Sequence, residues 1–277
     1  MAEQYPFLKG HGTRNDFVIL PDLDGTLHGQ LDDDRVRALC DRRSGIGADG
    51  VLRVVRGGVV AGTDPAVPWF MDYRNADGSV AEMCGNGIRV FGRYLVAAGL
   101  ARADEPLPVD TRDGVKVLTF TPSGEVTVDM GEPRIAEETT VSVGESVWSA
   151  LHVDMGNPHA VAFVDDLAEA GALLESPVFD LAVYPRGVNV EFVVPRGERH
   201  VAMRVHERGS GETQSCGTGA CAVMVAAALR EQPDGGARDV DYRVDLPGGT
   251  LTIRWTAGNR IQMTGPAEIV ASGATGL

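Results

Sequence analysis

The chain has 277 residues, 43% hydrophobic and 23% charged, which is enough for two domains with their own cores and far from disordered or fibrous compositions. Its formal net charge of −14 repels phosphate backbones and anionic lipid surfaces, so neither nucleic acid nor a membrane is an expected partner. No basic leader with a long apolar run opens the sequence and no stretch reaches bilayer length, so a cytoplasmic protein is expected.

In chain order, a helix is expected at about 32–42, followed by a loop-rich stretch at 55–68, "VRGGVVAGTDPAVP", that carries no assignable motif. "MCGNGIRVFGRYL" (83–95) puts Cys84 and two glycines ahead of a helix with Ile88, Phe91 and Leu95 on one face. Strands follow at "VKVLTF" and "EVTVDM" around the turn "TPSG", then at "ALHVDM" and "AVAFV". A second short helix is expected at 166–175, before the strands "VNVEFVV" and "HVAMRVHE". "SCGTGACAVMVAAAL" (215–229) repeats the Cys-Gly-x-Gly pattern before a helix that is apolar nearly all round and must therefore be enclosed by protein. "YRVDLPGGTLTIRWTAGNRIQMTG" reads as three strands joined by tight turns.

The two Cys-Gly-x-Gly sites lie about half the chain apart, and each follows a turn containing Gly, Ser and Glu. The expected fold is α+β: two similar domains, each a curved, mostly antiparallel sheet wrapped around a buried central helix, with the active site in the interdomain cleft. The first domain, with Cys84, takes residues 1–122 plus 266–277; the second, with Cys216, takes 123–265.

A helix N-terminus leaves backbone N–H groups unpaired and carries partial positive charge. A thiol placed there, ordinarily near pKa 8.5, can fall to roughly 3.5–7.5 and act as base or nucleophile. Gly85 and Gly87, like Gly217 and Gly219, let a ligand approach the backbone closely. Two such thiols on opposite sides of one carbon would invert a stereocentre without a cofactor, one removing a proton and the other delivering one. Cys40 and Cys221 lack this setting and read as structural. The spacing of the four cysteines suggests neither a disulfide framework nor a zinc site. Lys9 and Lys116, the two lysines among 25 basic residues, lie in no motif suited to a Schiff base. No metal or other cofactor is expected.

The segments "GHGTRNDFV" (10–18), "RRSGIGADG" (42–50), "NADGSVAEMCGNGIR" (75–89), "MGNPHAV" (155–161), "GVNVEF" (187–192) and "HERGSGETQSCGTGACA" (206–222) together resemble the diaminopimelate epimerases. These are pyridoxal-independent enzymes that interconvert LL- and meso-diaminopimelate in lysine and peptidoglycan precursor synthesis. The resemblance implies that Cys84 and Cys216 are the acid/base thiols, with His159 and Glu207 close by to set their protonation. It implies that Gly85, Asn86, Gly217 and Thr218 hold the carboxylate at the reacting centre. Asn15, Asn75, Asn157, Asn189, Glu207 and Arg208 would line the rest of the site, gripping the distal amino acid end. Read without it, His159 and Asn157 are turn residues, and Glu207 and Arg208 a solvated pair. Arg74, Glu82, Arg89 and Glu212 are taken as solvated or structural. The resemblance alone implies a homodimer.

One position departs from the pattern: some members have a glutamine where this chain has Gly50, so that contact is not carried over. The nearest rival reading is a proline or hydroxyproline racemase, against which the asparagine set and Arg208 favour a longer substrate. A non-catalytic amino acid binding protein, its cysteines merely capping helices, is the alternative of another class.

Overall fold

Strands β1 (Tyr5–Gly12) and β2 (Asn15–Pro21) open the chain as an antiparallel pair. Helix α1 (Asp33–Cys40) then leads to β3 (Gly50–Arg56), which pairs with β2 in parallel, and β3 turns back into β4 (Trp69–Asn75). Asp32 caps α1 by accepting the Arg35 N–H at 2.8 Å, and the helix buries Val36, Leu39 and Cys40. Helix α2 (Gly85–Ala97) follows, then the meander β5 (Leu107–Val109), β6 (Lys116–Phe120) and β7 (Val126–Gly131). The computed structural model describes residues 4–232 and 239–277; residues 1–3 and 233–238, which the expected domain ranges include, lie outside the described residues.

Beyond β7 come β8 (Arg134–Val143), β9 (Ser146–Asp154), β10 (Pro158–Phe163), the two-residue β11 (Val178–Phe179), β12 (Asn189–Gly197) and β13 (His200–Glu207). The short β14 (Gly211–Glu212) folds back on β13 ahead of helix α3 (Gly217–Glu231). Strands β15 (Val240–Leu246), β16 (Gly249–Trp255) and β17 (Ile261–Gly265) form a second meander, and β18 (Glu268–Thr275) ends the series. Residues up to Val128 together with Gly265–Leu277 form one compact unit, and Asp129–Thr264 form the other. The expected boundary lay in the turn at 122; the units part inside β7.

Each unit repeats one plan. In the first, β18, β1, β2, β3 and β4 lie side by side, antiparallel except for the β2–β3 pair. A parallel bridge between Phe70 and Asp110 then joins β4 to the β5–β6–β7 meander. In the second, β8, β9, β10, β12 and β13 follow in the same order with the same single parallel pair, β10–β12. Here β13 pairs in parallel with β15, which opens the β15–β16–β17 meander. The fold is α+β and mostly antiparallel, as expected, and the duplication extends through eight strands and one helix per unit.

The helix in each unit fills the space its strands enclose. α2 packs on β1, β2, β3, β4 and β18, and Ile88, Phe91 and Leu95 are fully buried. α3 packs on β9, β10, β12, β13, β15 and β16, burying Ala220 to Val225 completely. Each Val or Met taken out of water there contributes about 1.5–3 kcal/mol, which explains why the apolar sequence stays helical despite its poor amphipathicity. The expected helix at 166–175 is only a 3-10 turn over Leu167–Ala170: Asp166 caps it, and Gly171 at φ 63° ends it at once. Among the described residues, no helix is long and apolar enough to cross a membrane.

Candidate active site

In both units a cysteine occupies the N-cap of the central helix, a position where Ser, Thr, Asn and Asp usually accept a backbone N–H. Cys84 Sγ accepts the Gly87 N–H at 3.4 Å, and Cys216 Sγ accepts the Gly219 N–H at the same distance. Both cysteines have extended backbones, as N-caps require. Each thiol is therefore held against the first helical turn, among the glycines noted in the sequence.

Around Cys84, the first residue of β2 is Asn15. Its Oδ1 lies 3.8 Å from Cys84 Sγ and accepts a hydrogen bond from Asn86 Nδ2 at 3.2 Å. Asn15 Nδ2 donates to Asp49 at 2.7 Å, tying it to a surface ion network in which Lys9 and Arg42 flank Asp16. The two lysines are engaged in such pairs, Lys116 with Asp113. Asn75, at the end of β4, accepts from Tyr73 Oη at 2.8 Å and donates to Ser79. Arg89 is fully buried and braces the helix start, donating to Gly85 O at 3.2 Å and Asn86 Oδ1 at 3.0 Å. Arg74, too, is mostly buried, against Asp72. Both belong to the structural side of the expectation, not the solvated one.

Gly50 begins β3, opposite Phe17 and Asn75. A Cβ there would meet Arg74 O at 2.6 Å and Tyr73 Cε2 at 2.8 Å, so the Tyr73 ring stands where any side chain at position 50 would start. The unassigned stretch 55–68 brings Val60 and Ala61 to a cavity of about 880 Å3 that also includes Asp33, Arg53, Asp72 and Arg74. Cys84 does not line it. Arg53 of this cavity pairs with Asp22, outside its lining, at 2.7 Å, and Arg112 with Asp72, both lining it, at 2.6 Å.

Around Cys216, the second unit gathers His159, Asn157, Asn189, Glu207, Arg208 and Thr218. His159, fully buried on β10, has Nδ1 2.6 Å from Glu191 Oε1 and Nε2 3.0 Å from Asn157 Oδ1. Asn189 donates to Pro158 O and accepts the Arg208 backbone N–H at 2.9 Å. The Arg208 side chain lies exposed along Gly187, whose φ of 81° and missing Cβ admit it. Thr213 donates to Glu207, and the Cys216 thiol lies beside the same carboxylate. Thr218 Oγ1 is 3.6 Å from Cys216 Sγ. Glu212, left as solvated or structural, pairs with Arg204 at 2.6 Å.

The electrostatics correct one expectation. Burial first, then the Glu207 and Glu191 carboxylates, push the Cys216 thiol well above its ordinary range, outweighing the helix N–H. Cys216 is 5% exposed, and in the free protein it is held as a thiol. Burial likewise raises Glu207, with Thr213, Cys216 and His159 pulling against it. Cys40 is buried and pushed up to about 11, as its structural reading requires.

Glu191 escaped the sequence reading although it lay inside a quoted motif. Its signal is a charged residue two positions after Asn189 in "VNVEFVV", on the same strand face, with its neighbours Val190 and Phe192 joining the core on the opposite face.

The model of the diaminopimelate epimerase family matches residues 7–136 and 151–270. The chain belongs to that family. A diaminopimelate epimerase of Streptomyces coelicolor is 57% identical, with 99% of this chain and 96% of that protein covered. One of Rhodococcus jostii is 45% identical, with 96% of each covered. Solved structures carry the fold further than the sequence does. A PhzF-family phenazine biosynthesis protein of Bacillus anthracis superposes at TM-score 0.73 with 15% identity, covering 99% of both chains. A hydroxyproline epimerase of Agrobacterium vitis gives 0.67 with 14% identity, covering 99% of this chain and 94% of that one. This chain thus shares its fold with both.

Proposed function

We propose that this protein interconverts LL- and meso-diaminopimelate, with Cys84 and Cys216 as the two acid/base groups and no pyridoxal cofactor. The reading rests on one observation: N-cap thiols at equivalent stations of a duplicated fold, in a chain of this family. One sulfur, as thiolate, takes the proton from the α-carbon while the other thiol delivers its proton to the opposite face. The sum is inversion with one proton gained and one lost. The α-carboxylate rests on the N–H groups of Gly85, Asn86, Gly217 and Thr218, which stabilise the charge it gains in the transition state. Asn15, Asn75, Asn157, Asn189, Glu207 and Arg208 hold the distal end, where neutral amides and one guanidinium bind an amino acid without reacting.

Burial and the neighbouring carboxylates favour the thiol form of Cys216 in the resting protein, and the two sulfurs exchange the roles of acid and base between the two directions of the reaction; Glu207 and His159 adjust the exchange. The scheme requires both sulfurs to address one carbon in a site closed to water. We further propose a cytoplasmic homodimer; the spacing of the four cysteines, which suggests no disulfide framework, suits that compartment.

The test is α-proton exchange in deuterated water, without added pyridoxal phosphate. Solvent deuterium entering one centre of LL- and meso-diaminopimelate is the expected result. Exchange with proline instead would favour a racemase of the rival type, and none with either would favour a binding protein.

A further inference from the structure

The duplication supplies a control for reading the Cys216 half. In the parallel pair β2–β3, Phe17 stands opposite Gly50; in β10–β12, His159 stands opposite Asn189. Two residues further along, Leu52 in the first unit corresponds to Glu191 in the second. The glycines in the first helical turn confirm the match. A Cβ on Gly87 would meet Leu52, Cys84 and Phe17, whereas one on Gly219 would meet Glu191 Oε1 at 2.8 Å and Cys216 Sγ at 3.2 Å. The same niche behind the thiol is filled by an apolar pair in one unit and by a buried histidine–glutamate pair in the other.

Packing therefore does not demand the charged pair, and buried ion pairs add little stability over well-packed apolar residues. His159 and Glu191 are both fully buried, their 2.6 Å contact is short, and Glu191 Oε2 finds no hydrogen-bond partner among the described residues. As a carboxylate, Glu191 accepts from a protonated Nδ1, while Nε2 is turned to Asn157 Oδ1 at 3.0 Å, so the imidazole is held at both nitrogens.

We propose that Glu191 is a positioning residue for the epimerisation: by holding Nδ1 of His159 it fixes the imidazole and makes the Cys216 half electrostatically unlike the Cys84 half. The logic is that of a carboxylate fixing a catalytic imidazole's tautomer. The titratable groups near this pair are Glu207 and Cys216, with Tyr184 and His152 in electrostatic reach. The proposal rests on the epimerase reading.

The test uses the full chain with its histidines 15N-labelled, alongside the exchange assay. In the wild type, His159 should show a protonated Nδ1; a neutral ring protonated at Nε2 alone would overturn the proposal. Glu191→Gln should lower kcat by roughly 10²–10⁴-fold, the cost of losing an orienting carboxylate, with KM changed less than about threefold. A kcat within twofold of wild type would overturn it. The double variant His159→Phe with Glu191→Leu copies the first unit's pair. It should fold and bind diaminopimelate but lose at least as much kcat as Glu191→Gln; full activity, or failure to fold, would count against the proposal. Absence of exchange in the wild type would sink the epimerase reading instead, while the His159 tautomer would still be read from the spectrum.

Discussion

Adding a methyl group to the first turn of each central helix should have opposite consequences in the two units. In Gly87→Ala the new methyl meets only carbons: Leu52 Cδ2 at 3.2 Å, Cys84 Cβ at 3.4 Å and Phe17 Cε1 at 3.5 Å. These can yield by a few tenths of an ångström, and alanine gains up to about 1 kcal/mol of helix propensity over glycine, so the net change should stay within about 1 kcal/mol of zero. In Gly219→Ala the methyl lies 2.8 Å from Glu191 Oε1, and the carboxylate must retreat by about half an ångström from a ring nitrogen it now holds at 2.6 Å. Lengthening a charge-assisted hydrogen bond and overfilling the niche cost about 2–4 kcal/mol, and subtracting the helix gain leaves a loss of about 1–3 kcal/mol. At roughly 2–4 °C per kcal/mol for a chain of this size, the transition should fall by about 2–12 °C. Calorimetry on the two variants side by side provides the measurement. A Gly87→Ala loss as large as that of Gly219→Ala, or a Gly219→Ala protein as stable as wild type, would refute the assignment of Glu191 to the niche behind Cys216.

Cys84→Ala and Cys216→Ala should each cut epimerisation by on the order of 10³-fold or more while equilibrium dialysis still detects diaminopimelate, because the helix N–H groups remain. Because burial and two carboxylates keep Cys216 protonated, iodoacetamide should label it more slowly at pH 7 than a free peptide thiol, and the rate should climb only above the ordinary thiol range. Asp16 gives an acid-stability signature. Burial would raise its carboxyl, but Arg42 and Lys9 outweigh that and hold it at about 2 against the usual 3.8. Its contribution of about 2 kcal/mol is present above pH 4 and lost as pH falls from about 4 toward 2, so Asp16→Asn should flatten urea-measured stability over that interval.

The thiols were legible because glycines and an apolar run mark a helix start whatever surrounds it. The strand-rich character, the three-strand meander after α3 and the enclosure of that helix were equally legible from alternation and from an apolar surface with no polar face. The extent of the duplication was not: it resides in strand order and register, where Phe17 answers to His159 and Leu52 to Glu191, pairs with no chemical likeness. Glu191 went unmarked because a charged residue in a strand normally signals a solvated face, and only the packing of α3 shows that this face is interior. The raised thiol of Cys216 was hidden for the same reason, since it depends on carboxylates brought from β12 and the end of β13. The helix expected at 166–175 failed locally, where Gly171 breaks off a turn begun by a competent cap.

Strand β18 completes the first unit at the station that β8 fills in the second, yet it follows the second unit in the chain. During synthesis, β1 therefore emerges with one edge bare and must wait for the whole of Asp129–Thr264 before its partner arrives. The later-made unit holds all of its own strands and is free to fold while the earlier-made one is still unfinished. A ribosome that stalls just past Gly265 would release a nascent chain with Cys216 housed and the Cys84 half left open to wrong pairings along β1.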